Sequence, residues 1–402
     1  MPLVHQVIVK WETERVGDFS LVHGGPLYQL LLRSNLIGPD FGRLGWRIGV
    51  ITALAWLPMV PLTILSGRFA GVLREPFLYD YKVHTKLLFS LPLMILAEMV
   101  VYMGMRSIPA QFVERHIITD SLRPAFDKVV SSAMRLRNSV FAEAALLLLV
   151  VFSGHYIWPD APALHSDTWY ATVTDSVLCR TPAGRWYAFV SVPVFQFILL
   201  RWYYRIFIWY RFLFQVSRLD LNLAPLHPDR CCGLGFLGNA TSAFAPLLMA
   251  HSGLAAGFVA SRIVRDGTAL PNYKFELIGM ALFLLLIFLG PLCVLIPKLT
   301  DARLAGLQTY GRLESEYAVG LAGNGTHGGT AEGEPFWGTA ADIRSRVALA
   351  NSFRVVREIK LVPIDREAIV WLVAAIALPL APLALTVFPF KELLKELSAL
   401  VY

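Results

Sequence analysis

Charge is scarce in this chain. Asp, Glu, Lys and Arg make up 16% of its 402 residues, against roughly a quarter in a soluble globular domain. Cysteine is scarce as well: Cys179, the adjacent pair Cys231 and Cys232, and Cys293 are all there is. Adjacent cysteines rarely bridge and no CxxC spacing occurs, which argues against a disulfide framework and a zinc site. Walker, HExxH and GxSxG strings are absent, which removes P-loop, zinc-protease and α/β-hydrolase chemistry. No polar stretch is long enough to bury a large core; the longest runs from Lys298 to Arg366. The first 45 residues lack a basic n-region leading into an apolar core. Met1 is therefore expected to be the mature start.

What the chain does have is apolar length, with 56% hydrophobic residues. Seven long apolar stretches are separated by polar connections. Four of them carry no charge: Ile48–Gly67, Cys231–Ser261, Leu277–Pro297 and Ala368–Phe390. Each reaches the ~20 residues that an α-helix needs to cross about 30 Å of hydrocarbon. The other three are Leu87–Met105 with Glu98, Ser139–Pro159 with Glu143 and His155, and Trp186 to about Phe214 with Arg201, Arg205 and Arg211. The fold expected is all-α: a polytopic helical membrane protein with seven transmembrane helices, six to eight being compatible with the pattern.

An odd number of spans puts the termini on opposite sides. Lys and Arg are about equally dense on both, so their count decides little. His155–Cys179 has no Lys or Arg and carries Asp160, Asp167 and Asp175, as an outer loop would. The arginines of the fourth span fall in its second half, as at a cytoplasmic end. The N-terminus is thus expected inside and the C-terminus outside. The net charge of +7 belongs to connections beside apolar runs, where it meets anionic headgroups rather than nucleic acid.

The organisation follows. Residues 1–47 form a cytoplasmic segment with an interfacial helix at 26–37, and 48–297 form a six-helix bundle. Residues 298–366 form a cytoplasmic helical connection with a flexible glycine-rich tip at 320–333. A seventh span at 367–390 and an amphipathic tail at 391–402 complete the chain. The connection 106–138 reads as helical with a break at Pro124. After the tip, Thr339-Ala-Ala-Asp342 resembles a capping box. It opens a helix with Ile343, Val347, Ala350 and Phe353 on one face, which Pro363 ends. That helix either packs on the bundle or docks a partner or anionic lipid.

Ionisable residues inside spans are expensive in lipid and are the default functional candidates. Glu98, Glu143, Arg201 and Arg205 all fall in the inner half of the bundle. Their pairing either fixes helix register or lines a pathway. His251 in the fifth span makes an interhelical hydrogen bond or carries a proton. Gly253-Leu-Ala-Ala-Gly257 is a GxxxG packing signal, within the bundle or between subunits, and Gly45-Trp-Arg-Ile-Gly49 is similar. His155, Asp160, His165 and Asp167 match no ligand spacing, so no metal and no cofactor is expected.

The most distinctive string is Leu226-His-Pro-Asp-Arg-Cys-Cys-Gly-Leu-Gly-Phe-Leu-Gly238. Gly233-x-Gly235-x-x-Gly238 matches a dinucleotide fingerprint only literally, since no strand precedes it. His227-Pro228-Asp229 lacks the soluble helical hairpin of a J-domain. The physical reading is a tight turn at the cytoplasmic mouth, with Asp229 as a cap, Pro228 as a stiff element and Arg230 beside them. The run Cys231–Ser261 exceeds one span, so its start is expected to be irregular or re-entrant and buried against protein.

His227–Gly238 resembles the HPDxxGGLGFLG string of an uncharacterised bacterial polytopic membrane-protein family. Asp342–Pro363, the proline-rich last span and Lys391-Glu-Leu-Leu-Lys395 resemble that family's C-terminus. Cys232 stands where the family tends to have Gly. The resemblance covers about a fifth of the chain. It implies a multi-pass protein of the bacterial inner membrane and no particular activity. The seven-span topology is also similar to that of the insect odorant receptor channels, at the level of fold alone.

Two functions follow as expectations. One is an oligomeric channel or carrier for an ion or small solute. The other is a non-transporting sensor or effector scaffold engaging a cytoplasmic protein partner. An enzyme ranks behind both, because no nucleophile–base pair can be placed. A transporter needs a hydrated path touching Glu98 or Glu143, whereas a scaffold can bury them in closed pairs.

Overall fold

Backbone surrounded by hydrocarbon must satisfy its own N–H and C=O groups, so long uncharged runs fold as helices. A computed structural model of the chain describes residues 19–22, 24–26, 29, 43–71, 73, 75–152, 167–174, 177–327 and 340–385. In chain order these form α1 (Leu44–Leu65), α2 (Tyr81–Glu114), α3 (Arg123–Arg137) and α4 (Val140–Phe152). An antiparallel hairpin of β1 (Ala171–Thr174) and β2 (Val177–Arg180) follows. Then come α5 (Pro182–Ser217), α6 (Phe236–Asp266), α7 (Leu270–Cys293), α8 (Ile296–His327), α9 (Ala340–Arg357) and α10 (Arg366–Ala384). Six of these, α1, α2, α5, α6, α7 and α10, are long and apolar enough to cross a membrane. Their outward faces carry large apolar side chains: Leu286 on α7 is 69% exposed and Trp371 on α10 is 67% exposed. Water does not tolerate a belt of that kind, and lipid covers it. The protein is an all-α integral membrane protein with one small β-hairpin.

The expected third span is α4. It supplies 13 described residues, or about 20 Å at 1.5 Å per residue. The described residues before and after this stretch contact different ends of the bundle. Just before α4, the Leu136 carbonyl accepts from Tyr204 Oη at 2.8 Å. Shortly after it, Trp169 N donates to the Glu75 carbonyl at 3.1 Å, at the opposite end of α2. Six of the seven apolar stretches are thus full-length candidate spans, and the third is described only as far as Phe152. The end of the bundle that carries α8 and α9 is called the arm end below, and the other is the strand end.

Helix starts differ from the expected ones where a side chain caps early. The α2 apolar run begins at Leu87, yet the helix begins at Tyr81, because the Asp80 carboxylate accepts from Val83 N at 3.1 Å. Likewise Thr181 Oγ1 accepts from Gly184 N at 3.0 Å and starts α5 at Pro182. Pro124 does not break the 106–138 connection. It sits in the first turn of α3, where its missing N–H costs nothing. The break falls between α2 and α3, around His116.

The glycine-rich tip is a second correction. Residues 320–327 continue α8 rather than looping. Extending an existing helix is far cheaper than nucleating one, so interior glycines costing about 1 kcal/mol each are absorbed. Residues 328–339 lie outside the described set, as do Thr339 of the expected capping box, the interfacial helix apart from Pro26 and Gln29, and the 391–402 tail. On α9 the inward face also differs. Val347 is 55% exposed and Ala350 is exposed, while Val356 is buried and Leu349 and Phe353 are partly so. These pack α9 along α8, where Gly306 meets Val356 and Gly311 meets Phe353. The helix ends at Arg357, well before Pro363.

α6 begins irregularly, as its excess length requires. A short helical piece, Phe236–Ser242, breaks at Ala243-Phe244 before the main segment, Ala245–Asp266. Gly253 and Gly257 face α2 within the bundle. A side chain on Gly257 would collide with Thr85 and the Tyr81 carbonyl, and one on Gly253 with the Phe89 ring. Gly45 and Gly49 face open space instead, so that GxxxG packs against none of the described residues.

Candidate functional site

The intramembrane charges converge. Arg205 Nη1 lies 2.8 Å from Glu98 Oε1 and Arg47 Nη2 lies 2.6 Å from Glu98 Oε2. Arg201 spans both carboxylates, with Nη1 at 3.7 Å from Glu98 Oε1 and Nε at 3.4 Å from Glu143 Oε1. Four helices thereby meet at one point: α1 through Arg47, α2 through Glu98, α4 through Glu143 and α5 through Arg201 and Arg205. All five side chains are buried, Glu98 being 9% exposed. Both Glu98 oxygens are engaged, and Arg47 also donates to the Ile95 carbonyl at 3.4 Å. Arg205 lies over the Trp202 ring, 4.8 Å from its centroid. Three guanidiniums face two carboxylates, and Arg47 Nε and Arg205 Nη2 have no hydrogen-bond partner among the described residues.

Arg47 escaped the sequence reading because it stands one residue before an apolar run and was counted with the polar N-terminal segment. A second omission is the strap formed by residues 19–22 and 24–25. Phe19, Ser20, Leu21 and Val22 are each at most 3% exposed. Arg137 Nη1 donates to the Ser20 carbonyl at 2.7 Å and Arg201 Nη2 to the Gly24 carbonyl at 3.3 Å. Phe19 packs on Phe212 of α5, with centroids 5.0 Å apart. The strap covers the cluster from the arm end. It has no helical or strand periodicity, so nothing in the sequence marks it.

His251 does not join the cluster. Its Nδ1 lies 2.7 Å from the Leu247 carbonyl and its Nε2 2.9 Å from Tyr203 Oη. Both ring nitrogens are engaged, in an interhelical contact between α6 and α5.

The Leu226–Gly238 string forms a tight turn wound around one carboxylate. Asp229 Oδ1 accepts from Cys231 N at 2.8 Å and Gly233 N at 3.1 Å, and Oδ2 accepts from Gly235 N at 2.9 Å. Asp229 thus closes the turn leading into α6 and is not the N-cap of that helix, a position held by Gly235. Three alternate N–H groups, of Cys231, Gly233 and Gly235, can point inward because Arg230, Cys232 and Gly233 adopt left-handed backbone, with φ of 56°, 55° and 96°. Burial raises the Asp229 pKa, but the three backbone hydrogen bonds outweigh it and hold the carboxyl below its ordinary value. His227 Nδ1 sits 2.9 Å from Asp229 Oδ1. Arg230 pairs with Glu358 at 2.9 Å, and its carbonyl accepts from Lys360 N at 2.8 Å. Gly238 lies against Pro363 and Ile364, where a Cβ would collide with the Pro363 carbonyl. The turn is therefore docked onto the segment joining α9 to α10. Neither that segment nor its contact with the turn was legible in the sequence.

Comparison with protein-family models, with curated proteins and with solved structures finds no match. The reading of the site therefore rests on its chemistry.

Cys231 and Cys232 are buried within the turn, and burial pushes their thiols up to about 12 and about 11. Thiolate is the reactive form. Maleimide at pH 7.5 is expected to label exposed Cys179 rapidly and these two only after unfolding. Quantifying labelled peptides by mass spectrometry checks this; fast labelling of Cys231 in the folded protein would contradict the geometry.

The strand end holds a polar network that sequence reasoning did not single out. Trp169 Nε1 donates to Asp80 Oδ2 at 2.9 Å, and Arg265 Nη1 pairs with Glu75 Oε1 at 2.9 Å. Lys86 Nζ donates to Tyr187 Oη at 2.9 Å. These two residues lie on wide π-type turns of α2 (Thr85–Ser90) and α5 (Tyr187–Ser191). Among the described residues no group of three His, Cys, Asp or Glu is placed to hold a metal ion. His155, Asp160 and His165 lie outside the described residues, and Asp167 is 3.9 Å from Arg68.

Proposed function

We propose that this protein is a non-transporting scaffold of the bacterial inner membrane, built to present its arm end to a cytoplasmic protein partner. The observation that carries the reading is the closed charge cluster. Glu98 holds Arg47 and Arg205 at 2.6 and 2.8 Å, Glu143 holds Arg201, and the strap covers them. A conducted ion would have to break several buried pairs, each costing several kcal/mol to separate. Such a cluster serves better as a lock that fixes the register of four helices.

The arm end is what such a lock would hold in place. α8 has 32 residues, about 48 Å at 1.5 Å per residue, and α9 packs back along it. At its root Arg303 Nη2 donates to the Arg357 carbonyl at 2.9 Å, joining α8 to the end of α9, and Gly306 lies against Pro225 of the connection between α5 and α6. The absence of Lys and Arg from 155–179, at the opposite end, supports placing the arm in the cytoplasm. The inner-membrane location rests on the resemblance of His227–Gly238.

The test is flux in proteoliposomes containing purified wild-type protein or Glu98→Gln. The expected result is no movement of H⁺, Na⁺, K⁺ or Cl⁻ above empty vesicles for either protein. Wild-type flux of any of these ions that Glu98→Gln abolishes would replace the scaffold with the channel or carrier.

A further inference from the structure

A cleft opens at the arm end between α2, the first turn of α6 and the residues preceding α10. Its volume is about 400 Å³, within the range of sites for small molecules. Its walls are mainly polar. Ser107 and Gln111 come from α2 and Arg115 directly follows it, Phe236 and Asn239 come from α6, and Asp365 closes the third side. Asp229 also lines the cleft, with both oxygens already taken by backbone N–H groups. Close approach sets this shape: Gly104 lies against Ala243 and Gly238 against Pro363.

The polar groups are unequally used. Arg115 is held in place by neutral partners: the Gly233 carbonyl accepts from Nη1 at 3.2 Å, Gln111 Oε1 accepts from Nη2 at 3.4 Å, and the guanidinium stands 5.0 Å from the Phe236 ring centroid. Its positive charge is oriented and makes no ion pair with a carboxylate of the described residues. Across the cleft, Asp365 shares only Oδ1 with Lys360, at 2.7 Å, and is half exposed. The cleft therefore offers a fixed guanidinium to an anionic group and a carboxylate oxygen to a cationic one. A simple anion would be disfavoured by Asp365 and a simple cation by Arg115.

Depth narrows the chemistry. α2 has 34 residues, about 51 Å at 1.5 Å per residue, against roughly 30 Å of hydrocarbon. The cleft is lined by its last turns, from Ser107, and by Arg115 just after them, and so lies at the level of lipid phosphates. A planar guanidinium suits a phosphate.

We infer that this cleft binds a phosphoethanolamine group, with the phosphate on Arg115 and the ammonium on Asp365. The group could be presented by a phosphatidylethanolamine of the adjacent leaflet or by a soluble phosphate ester. The inference is independent of the scaffold reading, since flux or its absence changes neither the cleft nor its charges.

The test is calorimetric titration of the purified full-length protein with free phosphoethanolamine, inorganic phosphate and dihexanoyl phosphatidylethanolamine. Binding of free phosphoethanolamine would identify a soluble ligand, and binding of the short-chain lipid alone would identify a headgroup site. Either supports the inference. Arg115→Gln is expected to weaken binding at least tenfold. Asp365→Asn is expected to weaken phosphoethanolamine without weakening inorganic phosphate. Asn239→Phe fills the cleft without removing any hydrogen bond of its own side chain, and should abolish binding at unchanged Tm. It keeps the test decisive if Arg115→Gln misfolds. No binding of either phosphoethanolamine form, equal affinity for inorganic phosphate, or binding that survives Asn239→Phe would overturn the inference.

Discussion

Glu98→Ala will prevent accumulation of folded protein. The carboxylate is the centre of the cluster, with Arg47 and Arg205 each within 2.8 Å and Arg201 at 3.7 Å. Its removal leaves three buried guanidiniums with Glu143 alone. Breaking a buried pair from one side costs about 3–5 kcal/mol, because the surviving charge stays desolvated. A loss of that size is a large part of the 5–15 kcal/mol that holds a typical domain together. Glu98→Gln keeps the shape and one acceptor, so it is expected to fold with a Tm several degrees lower. Adding Arg205→Gln to Glu98→Gln should cost less than the sum of the two single changes, with coupling of about 1–3 kcal/mol between them. Expression level and Tm in one detergent measure all four proteins. An unchanged Tm for Glu98→Ala would mean that water reaches the arginines, and would weaken the lock as well as this prediction.

Asp229→Ala has the second-largest expected effect, and a local one. Three N–H donors, of Cys231, Gly233 and Gly235, converge on this carboxylate. Each buried donor left without an acceptor costs about 1–3 kcal/mol. The turn is expected to open and release the Arg230 carbonyl from Lys360 N, leaving the bundle assembled. Hydrogen exchange of peptides covering 229–238 and 358–365 should accelerate at least a hundredfold, with α2 and α5 unchanged. Asp229→Asn retains one acceptor oxygen but turns an amide N–H toward a donor, so it should fall between. The pH dependence has a definite sign. The folded carboxyl lies below its ordinary value, so its contribution is fully present above the unfolded pKa of about 3.9. It is lost as pH falls through the lower folded value. Exchange in the wild-type turn should thus stay slow at neutral pH and rise only in strong acid. Slow exchange in the turn of Asp229→Ala would show that the left-handed residues hold it without the carboxylate.

How much of this was readable in advance depends on how local each determinant is. The spans were readable because hydrocarbon leaves a chain few conformations, and an uncharged run of twenty residues states its own structure. Glu98, Glu143, Arg201 and Arg205 stood out because a charge inside such a run is expensive. Arg47 did not, since it falls just outside a run although its side chain reaches Glu98. Lys82 and Lys86 set the apparent start of α2 too late, because their charges interrupt an apolar count while Asp80 caps the helix ahead of them. The strap was hidden for another reason. Phe19, Leu21 and Val22 are buried by helices lying more than a hundred residues further on, and no local pattern encodes such a contact. Position 232 shows the opposite case. The left-handed φ of 55° at Cys232 is a local property, and the conformation that Gly adopts most easily.

The strap also fixes an order of events. Residues 19–25 leave the ribosome early, yet their partners are Arg137, Arg201 and Phe212. At about 5–20 residues per second, some 190 further residues take roughly 10–40 s to make. Through that interval α1 to α5 must be made while the segment that will seal them waits undocked. The part of the chain made earliest is therefore docked only once α5 has been made, and docking of the strap signals that α1 to α5 have all arrived.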